Sequence, residues 1–310
     1  MKKKKVIITG ISGFIGSNLA EFLDTDYYII GIDRNQWKNQ GDRPFFLRDI
    51  NDKLPDLHDI YAVIHLAAKA GVRESQDNFE QYVHDNILGT KSILDKCRDW
   101  KPSIILVASS SSVSGDKERG HSPKSLYAVS KVATEEILNS YVRNGLIPRE
   151  TITSILIPYT VYGPNQREGL AIRNFIDAII REKPITIYGD GSQSRDFTYI
   201  EDLCKKIKQM LDEPHSIGDV THLGSRQQYT LNQIIHIISR ITENPVTIKY
   251  VPRNRFDVDS TLAPYSCTDK ITPIERGLER QIKWAKDIYN IERLRDSAEK
   301  LNKALKGEKK

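Results

Sequence analysis

The stretch VIITGISGFIGSNL, residues 6–19, decides the fold. A flat, β-branched run of strand length (VIIT, 6–9) meets Gly10, Gly13 and Gly16 and passes at once into apolar residues at helical spacing. Glycine at such a junction permits a tight turn, and its missing Cβ lets a pyrophosphate approach the backbone. The helix that follows offers free N–H groups and the positive end of its dipole. Phe14 and Ile15 lie inside this loop and join the glycines as cofactor-binding candidates. The next apolar run, YIIGI (28–32), ends against Asp33, 17 residues past Gly16. A carboxylate there accepts hydrogen bonds from the adenosine ribose hydroxyls and repels a 2′-phosphate, so the spacing favours NAD over NADP. Arg34, next to it, weighs the other way.

Outward from this unit, YAVIHL (61–66), SIILVA (103–108) and ITSILI (152–157) repeat the strand pattern, with helical spacing at 14–24, 78–98 and 126–143 between them. Strands alternating with helices imply βαβ units and a parallel sheet covered on both faces. Beyond about residue 160 the pattern loosens into short runs (ITIY, 185–188; VTIKY, 246–250) and helices near 171–182, 201–212 and 231–242. The expectation is an α/β, Rossmann-like doubly wound domain over 1–160. Residues 161–310 would form mainly a smaller C-terminal α/β substrate-binding lobe, with some chain returning to the first domain.

Composition narrows the function. The formal charge of +5 rests on the ends, with four lysines at 2–5 and four more against one Glu in KALKGEKK (303–310); without them the body carries about −2. That argues against a nucleic-acid-binding surface. No apolar run nears the ~20 residues of a membrane span, and the N-terminus has no signal-peptide stretch. Cys97, Cys204 and Cys267 are isolated, which argues for a reducing, cytoplasmic setting and against a disulfide framework or zinc site. The seven histidines show no ligand spacing, so no metal is expected.

Tyr127 and Lys131 stand one helical turn apart in SLYAVSKVATEEIL (125–138). A free phenol is a poor base at neutral pH, and a neighbouring ammonium lowers its pKa, so Tyr127 is a candidate general base. The pair lies downstream of the serine-rich strand end VASSSSVSG (107–115). Together with HLAAKAGVRES (65–75), DNILGT (85–90), YTVYGPNQR (159–167) and RDFTYIEDL (195–203), these motifs resemble, in order, the extended short-chain dehydrogenase/reductases. Within them the chain resembles the NAD-dependent sugar-nucleotide epimerase/dehydratase family.

The resemblance implies roles. Ser110 assists Tyr127 and Lys131 holds the nicotinamide ribose; these three form the catalytic set. Asp49 and Ile50 match an adenine-contacting pair, Leu66, Ala67 and Ala68 a wall of the NAD site, and Asn86 a cofactor-side asparagine. Ser111 and Ser112 reach the sugar, Arg195 the substrate diphosphate, and Asp257 matches a further substrate-side position. Dehydratases and decarboxylases of the family carry carboxylates where this chain has Ser111 and Ser112, and a serine does not replace them as a proton carrier. The implied reaction is therefore 4-epimerisation of a UDP-sugar through a transient 4-keto sugar. Thr160 and Arg167 fit a C6 carboxylate, which favours UDP-glucuronate, with the UDP-glucuronate 4-epimerases nearest in motif, over UDP-glucose or UDP-N-acetylglucosamine. A reductase or dehydrogenase of the same fold, or a binding protein without activity, remains an alternative. A homodimer pairing helices 78–98 and 126–143 is expected, as in many relatives. The chain departs from the pattern at Ser114, at Ile157-Pro158, at Asn254, in the short loop from Ser114 to Tyr127, and between Ala263 and Thr272.

Overall fold

The structure is a computed structural model that describes residues 2–307 except 116–119, 217 and 254, without the side chains of 216 and 292–307. Its first strand, β1 (Lys4–Thr9), is followed by α1 (Phe14–Leu23), β2 (Tyr27–Asp33), β3 (Phe45–Leu47) and β4 (Ile60–His65). Two short helices, α2 (Glu74–Asp77) and α3 (Phe79–Tyr82), lead through π turns at Val83–Leu88 into α4 (Gly89–Trp100), and β5 (Ile104–Ala108) comes next. After a 3₁₀ turn at Ser111–Ser114 the chain enters α5 (Leu126–Arg143) and β6 (Ile152–Pro158). Seven strands make the main sheet in the order β10-β6-β5-β4-β1-β2-β3, every neighbouring pair parallel. The chain leaves β1 toward β2 on one side and reaches β4 on the other, so the order reverses at the carboxyl ends of β1 and β4. In an open α/β sheet that crevice takes the ligand.

Strand β1 shows why both faces are covered. Val6 and Ile8 pack with Leu19, Ala20 and Leu23 of α1, while Ile7 packs with Ile93 and Leu94 of α4 and Leu138 of α5. All three strand residues are fully buried, each stabilising the sheet by about 1.5–3 kcal/mol relative to exposure. Ser125 caps α5, its hydroxyl accepting from the Ala128 N–H at 3.1 Å. That fixes where the helix begins, and hence the rotation that turns Tyr127 and Lys131 to the sheet edge.

The rest of the chain builds β7 (Thr160–Tyr162), α6 (Ala171–Ile180), β8 (Ile185–Tyr188), β9 (Ser194–Tyr199), α7 (Ile200–Asp212), β10 (Val220–Leu223), β11 (Gln228–Thr230), α8 (Leu231–Thr242), β12 (Ile248–Val251) and α9 (Ile274–Gly307). Strand β9 pairs β7 in parallel and β11 antiparallel, and β12 pairs β8 in parallel. Strand β10 belongs to the main sheet, Val220–Leu223 lying along Ile155–Pro158. Ile207 of α7 and Leu278 of α9 share one apolar cluster with Val6 and Ile8, so the two parts are packed continuously. Residues 263–272, where the family pattern has a helix, contain no regular element. Buried carboxylates hold them instead: Asp196 accepts from the Ala263 N–H at 3.0 Å, and Asp202 from the Thr272 N–H at 2.7 Å and its hydroxyl at 2.9 Å. Asn254 lies outside the described residues.

Candidate active site

A cleft of about 480 Å³ opens at the crossover of the sheet. Gly10, Gly13, Phe14, Ile15 and Gly16 form its floor, Asp33, Asp49 and Ile50 one end, and Leu66, Ala67, Ala68, Lys131 and Tyr127 the other side. Gly10 sits at φ +72°, and a Cβ there would stand 2.7 Å from the Ala67 nitrogen. At Gly16 a Cβ would overlap the Gly10 carbonyl oxygen. Gly13, at the head of α1, gives the first turn no side-chain cap, so its N–H groups face the cleft uncommitted to a side chain. A backbone cradle, an open helix end and a carboxylate at the next strand end suit a dinucleotide.

The carboxylate of Asp33 is oriented before any ligand arrives, accepting from the Ser12 N–H at 3.0 Å and the Asn35 N–H at 2.8 Å. Arg34, the residue that argued for a 2′-phosphate, is turned to other partners. Its guanidinium forks onto Asp85 at 2.9 and 2.7 Å and stands 3.6 Å from Asp49. Burial pushes the Asp85 carboxyl up, but the bonds from Arg34, His84 and Gln81 prevail and hold it below the usual carboxylate range. Asp49, His84 and Asp85 converge closely enough for a cation, and the guanidinium of Arg34 is the cation the two carboxylates face.

Asn86 does not line the cleft. Held by the π turns, it braces the wall from behind: its Oδ1 accepts from the Lys69 N–H at 2.7 Å, and its Nδ2 donates to the Lys69 carbonyl at 3.0 Å and to Ser130 Oγ at 2.9 Å. Asn86 lies within these π turns and is buried, and helical periodicity at 78–98 gives no sign of such a bulge. His65 is a core histidine held between Thr9 Oγ1 (2.7 Å) and Thr90 Oγ1 (3.2 Å). Burial, with a smaller push from the Lys131 charge, lowers its pKa to about 3 and keeps it neutral.

Tyr127 and Lys131 both line the cleft, and Ser110 bonds to Tyr127. Tyr127 packs edge-on against Tyr82 at 6.2 Å, and its backbone N–H donates to Ser75 Oγ at 3.0 Å. Burial pushes its phenol above the ordinary value, while a bond to Ser110 and the positive charge of Arg167 pull it down. Lys131 donates to the Ala108 carbonyl at 2.8 Å, and burial lowers its pKa to about 8, against the charge of Glu135. The positive charge of Arg167, read from the sequence only as a substrate ligand, thus also acts on Tyr127. Ser110 shares a 2.7 Å hydrogen bond with Ser112 across the 3₁₀ turn that begins at Ser111. Gly115 then turns at φ +58° against the Ser122 carbonyl, so the departure at Ser114 comes with a tight return toward α5.

The proposed substrate residues are spread more widely. Arg167 lines the cleft and donates to the Ala70 carbonyl at 3.1 Å. Pro158, a departure from the pattern, also lines it. Thr160 stands on β7 opposite Phe197, two residues past the cleft-lining Pro158, and is not itself among the lining residues. Arg195 donates to the carbonyls of Ser194 (2.8 Å) and Val258 (2.9 Å). Asp257 pairs with Arg73 at 3.2 Å, and the Arg73 guanidinium lies 3.6 Å over the Tyr188 ring. Arg73 is a residue the sequence reading passed over, although it lies within HLAAKAGVRES. Cys97, Cys204 and Cys267 are free and buried, and burial pushes their thiols up. Among the described residues no helix is long and apolar enough to cross a membrane.

Comparison with known proteins agrees with this geometry. The model of the NAD dependent epimerase/dehydratase family matches residues 6–224. A UDP-glucuronate 4-epimerase of Thermodesulfobacterium geofontis is 34% identical over 92% of this chain and 97% of its own. The structure of UDP-glucuronic acid 4-epimerase from Bacillus cereus, in complex with UDP-glucuronic acid and NAD, superposes with a TM-score of 0.84 at 31% identity, covering 92% of this chain and 100% of that one. UDP-N-acetylglucosamine 4-epimerase from Methanobrevibacter ruminantium gives 0.84 at 28% identity, over 93% and 99%. The chain belongs to the NAD-dependent epimerase/dehydratase family, and its cofactor is NAD.

Proposed function

We propose that this protein is a 4-epimerase of UDP-sugars that converts UDP-glucuronate to UDP-galacturonate. The observation that carries the reading is the convergence of Ser110, Tyr127 and Arg167 beside the dinucleotide cleft, with serines at 111 and 112 in place of a dehydratase's carboxylates. NAD, when bound, supplies a reversible oxidant for a secondary alcohol and a positive nicotinamide ring. Tyr127 Oη takes the proton of the sugar 4-hydroxyl and gives it back after the 4-keto sugar has turned its other face. Ser110 hydrogen-bonds the reacting oxygen, and Lys131, fixed by the Ala108 carbonyl, holds the ribose side of the cofactor. Arg167 draws Tyr127 toward its phenolate and binds the C6 carboxylate, a geometry a guanidinium enforces. Such directional holding matters, because a 4-keto uronate is a β-keto acid that loses CO₂ when its carboxylate swings out of position. Thr160 joins Arg167 toward that carboxylate, and Arg195 and Asp257 take the outer parts of the sugar nucleotide in this reading.

Separate incubations with UDP-glucuronate, UDP-glucose and UDP-N-acetylglucosamine, followed through the anomeric protons by NMR, test the substrate. New UDP-galacturonate from UDP-glucuronate, with the neutral sugars unchanged, is the expected result. Conversion of the neutral sugars alone keeps the 4-epimerase and removes the carboxylate role of Arg167.

The same reading extends to a homodimer. Leu88 and Val129, on the helices nearest the site, are 48% and 39% exposed, an apolar face of the kind a two-fold contact covers. Light scattering is expected to give twice the 35.4 kDa chain mass.

A further inference from the structure

One turn beyond Lys131 on α5, Glu135 is buried, with 5% of its surface exposed. A buried carboxylate is costly unless paired, and an apolar residue packs a helix face more cheaply. Its described partners lie beside the catalytic set. Ser109, which immediately precedes Ser110, donates its hydroxyl to one carboxylate oxygen, and the Ser109 N–H anchors the same segment on the Leu156 carbonyl at 2.7 Å. His121 Nε2 meets the other oxygen at 2.8 Å. Next to His121, the Ser122 N–H donates to the carbonyl of Val113, three residues after Ser110. From its own helix, Lys131 feels the Glu135 charge, and from β10 so does His222. Among the described residues, Lys131, His121 and His222 are ionisable groups that meet or feel this carboxylate, with Ser109 its neutral donor.

Resting on the epimerase reading, we propose that Glu135 is a positioning residue for the reaction, its carboxylate standing one turn from Lys131 and, through Ser109, holding Ser110 against Tyr127. The arrangement fits that role better than packing alone. The one carboxylate ties the strand end that carries Ser110 to the helix that carries Tyr127 and Lys131, and it sits at the (i, i+4) spacing that shares a helix face with Lys131. Its negative charge offsets the burial that favours a neutral lysine.

The test reads Lys131 itself, by carbon-13 NMR of lysine-labelled protein carrying its NAD, with the signal assigned by its loss in Lys131→Met. Glu135→Gln is expected to lower the titration midpoint of Lys131 by about one pH unit, while Glu135→Asp, which keeps the charge, leaves it in place. With the substrate that wild type turns over, kcat of Glu135→Gln is expected to fall about tenfold or more, its alkaline limb moving down by the same interval. A folded Glu135→Gln protein with an unmoved midpoint overturns the proposal. If that variant does not fold, Ser109→Ala decides: kcat reduced several-fold with an unmoved Lys131 midpoint supports the linkage, and wild-type kcat overturns it. Absence of turnover in wild type on any UDP-sugar defeats the epimerase reading instead, and the Lys131 midpoint reports on Glu135 independently.

Discussion

Tyr127→Phe is expected to lower kcat about a thousandfold while the protein keeps its NAD. The substitution removes one hydroxyl. The ring that packs on Tyr82, the backbone bond to Ser75 and the helix start at Ser125 all remain. The dinucleotide cradle is built from Gly10, Gly13, Gly16 and Asp33, on other elements. Kinetics followed by NMR, together with nucleotide released on denaturation, check both halves. A variant retaining more than about a tenth of wild-type turnover refutes Tyr127 as the base, since proton transfer by a placed group contributes about 10²–10⁴-fold.

Lys131→Met is expected to do two opposite things. Turnover falls by about a hundredfold or more, because the ammonium facing the cleft is lost, yet the protein becomes more stable near pH 7. Burial lowers the Lys131 pKa from 10.5 to about 8. Between those values the unfolded chain binds the proton that the folded chain has released, so stability rises with pH across that window. Below about pH 8 the cost of the buried ammonium is present in full, and above 10.5 it is gone. Methionine carries no such cost, so a gain of about 1–3 kcal/mol is expected at pH 7, diminishing as pH approaches 10.5. Thermal melts of both proteins at the two pH values measure it. A variant less stable than wild type at pH 7 contradicts the assignment of a buried, disfavoured ammonium at this position.

How much of this was legible depended on whether the signal was local. The glycine loop, Asp33 and the Tyr127–Lys131 spacing are local patterns, and the first five apolar runs fell on β1, β2, β4, β5 and β6. The short β3 and β10 did not stand out. Strand β10 is VTHL between loops and gains its place only by lying along Ile155–Pro158, a pairing 65 residues distant in sequence. Helix α9 went unread although Ile274, Leu278, Ile282 and Ala285 form a buried stripe at helical spacing, because Glu275, Arg276, Glu279, Arg280, Lys283 and Lys286 break up its apolar signal in sequence. In the site, the residues missed are those whose role is relational. Glu135 reads as one more helix charge until Ser109 and His121 are seen on its two oxygens. Arg167 reads as a ligand for substrate, and only the fold shows that its charge also acts on Tyr127. Arg34 carried an ambiguity that its bonds to Asp85 answer.

One measurement bears most directly on the central claim: reaction of the protein, as purified and without added cofactor, with UDP-glucuronate in deuterium oxide, the product examined at C4 by NMR. The hydrogen removed from C4 is expected to return from tightly held NAD rather than from solvent, so UDP-galacturonate should form with protium at C4. No product without a stoichiometric supply of oxidised or reduced nicotinamide, or deuterium at C4 of the product, would contradict an epimerase that regenerates its own cofactor in each turnover.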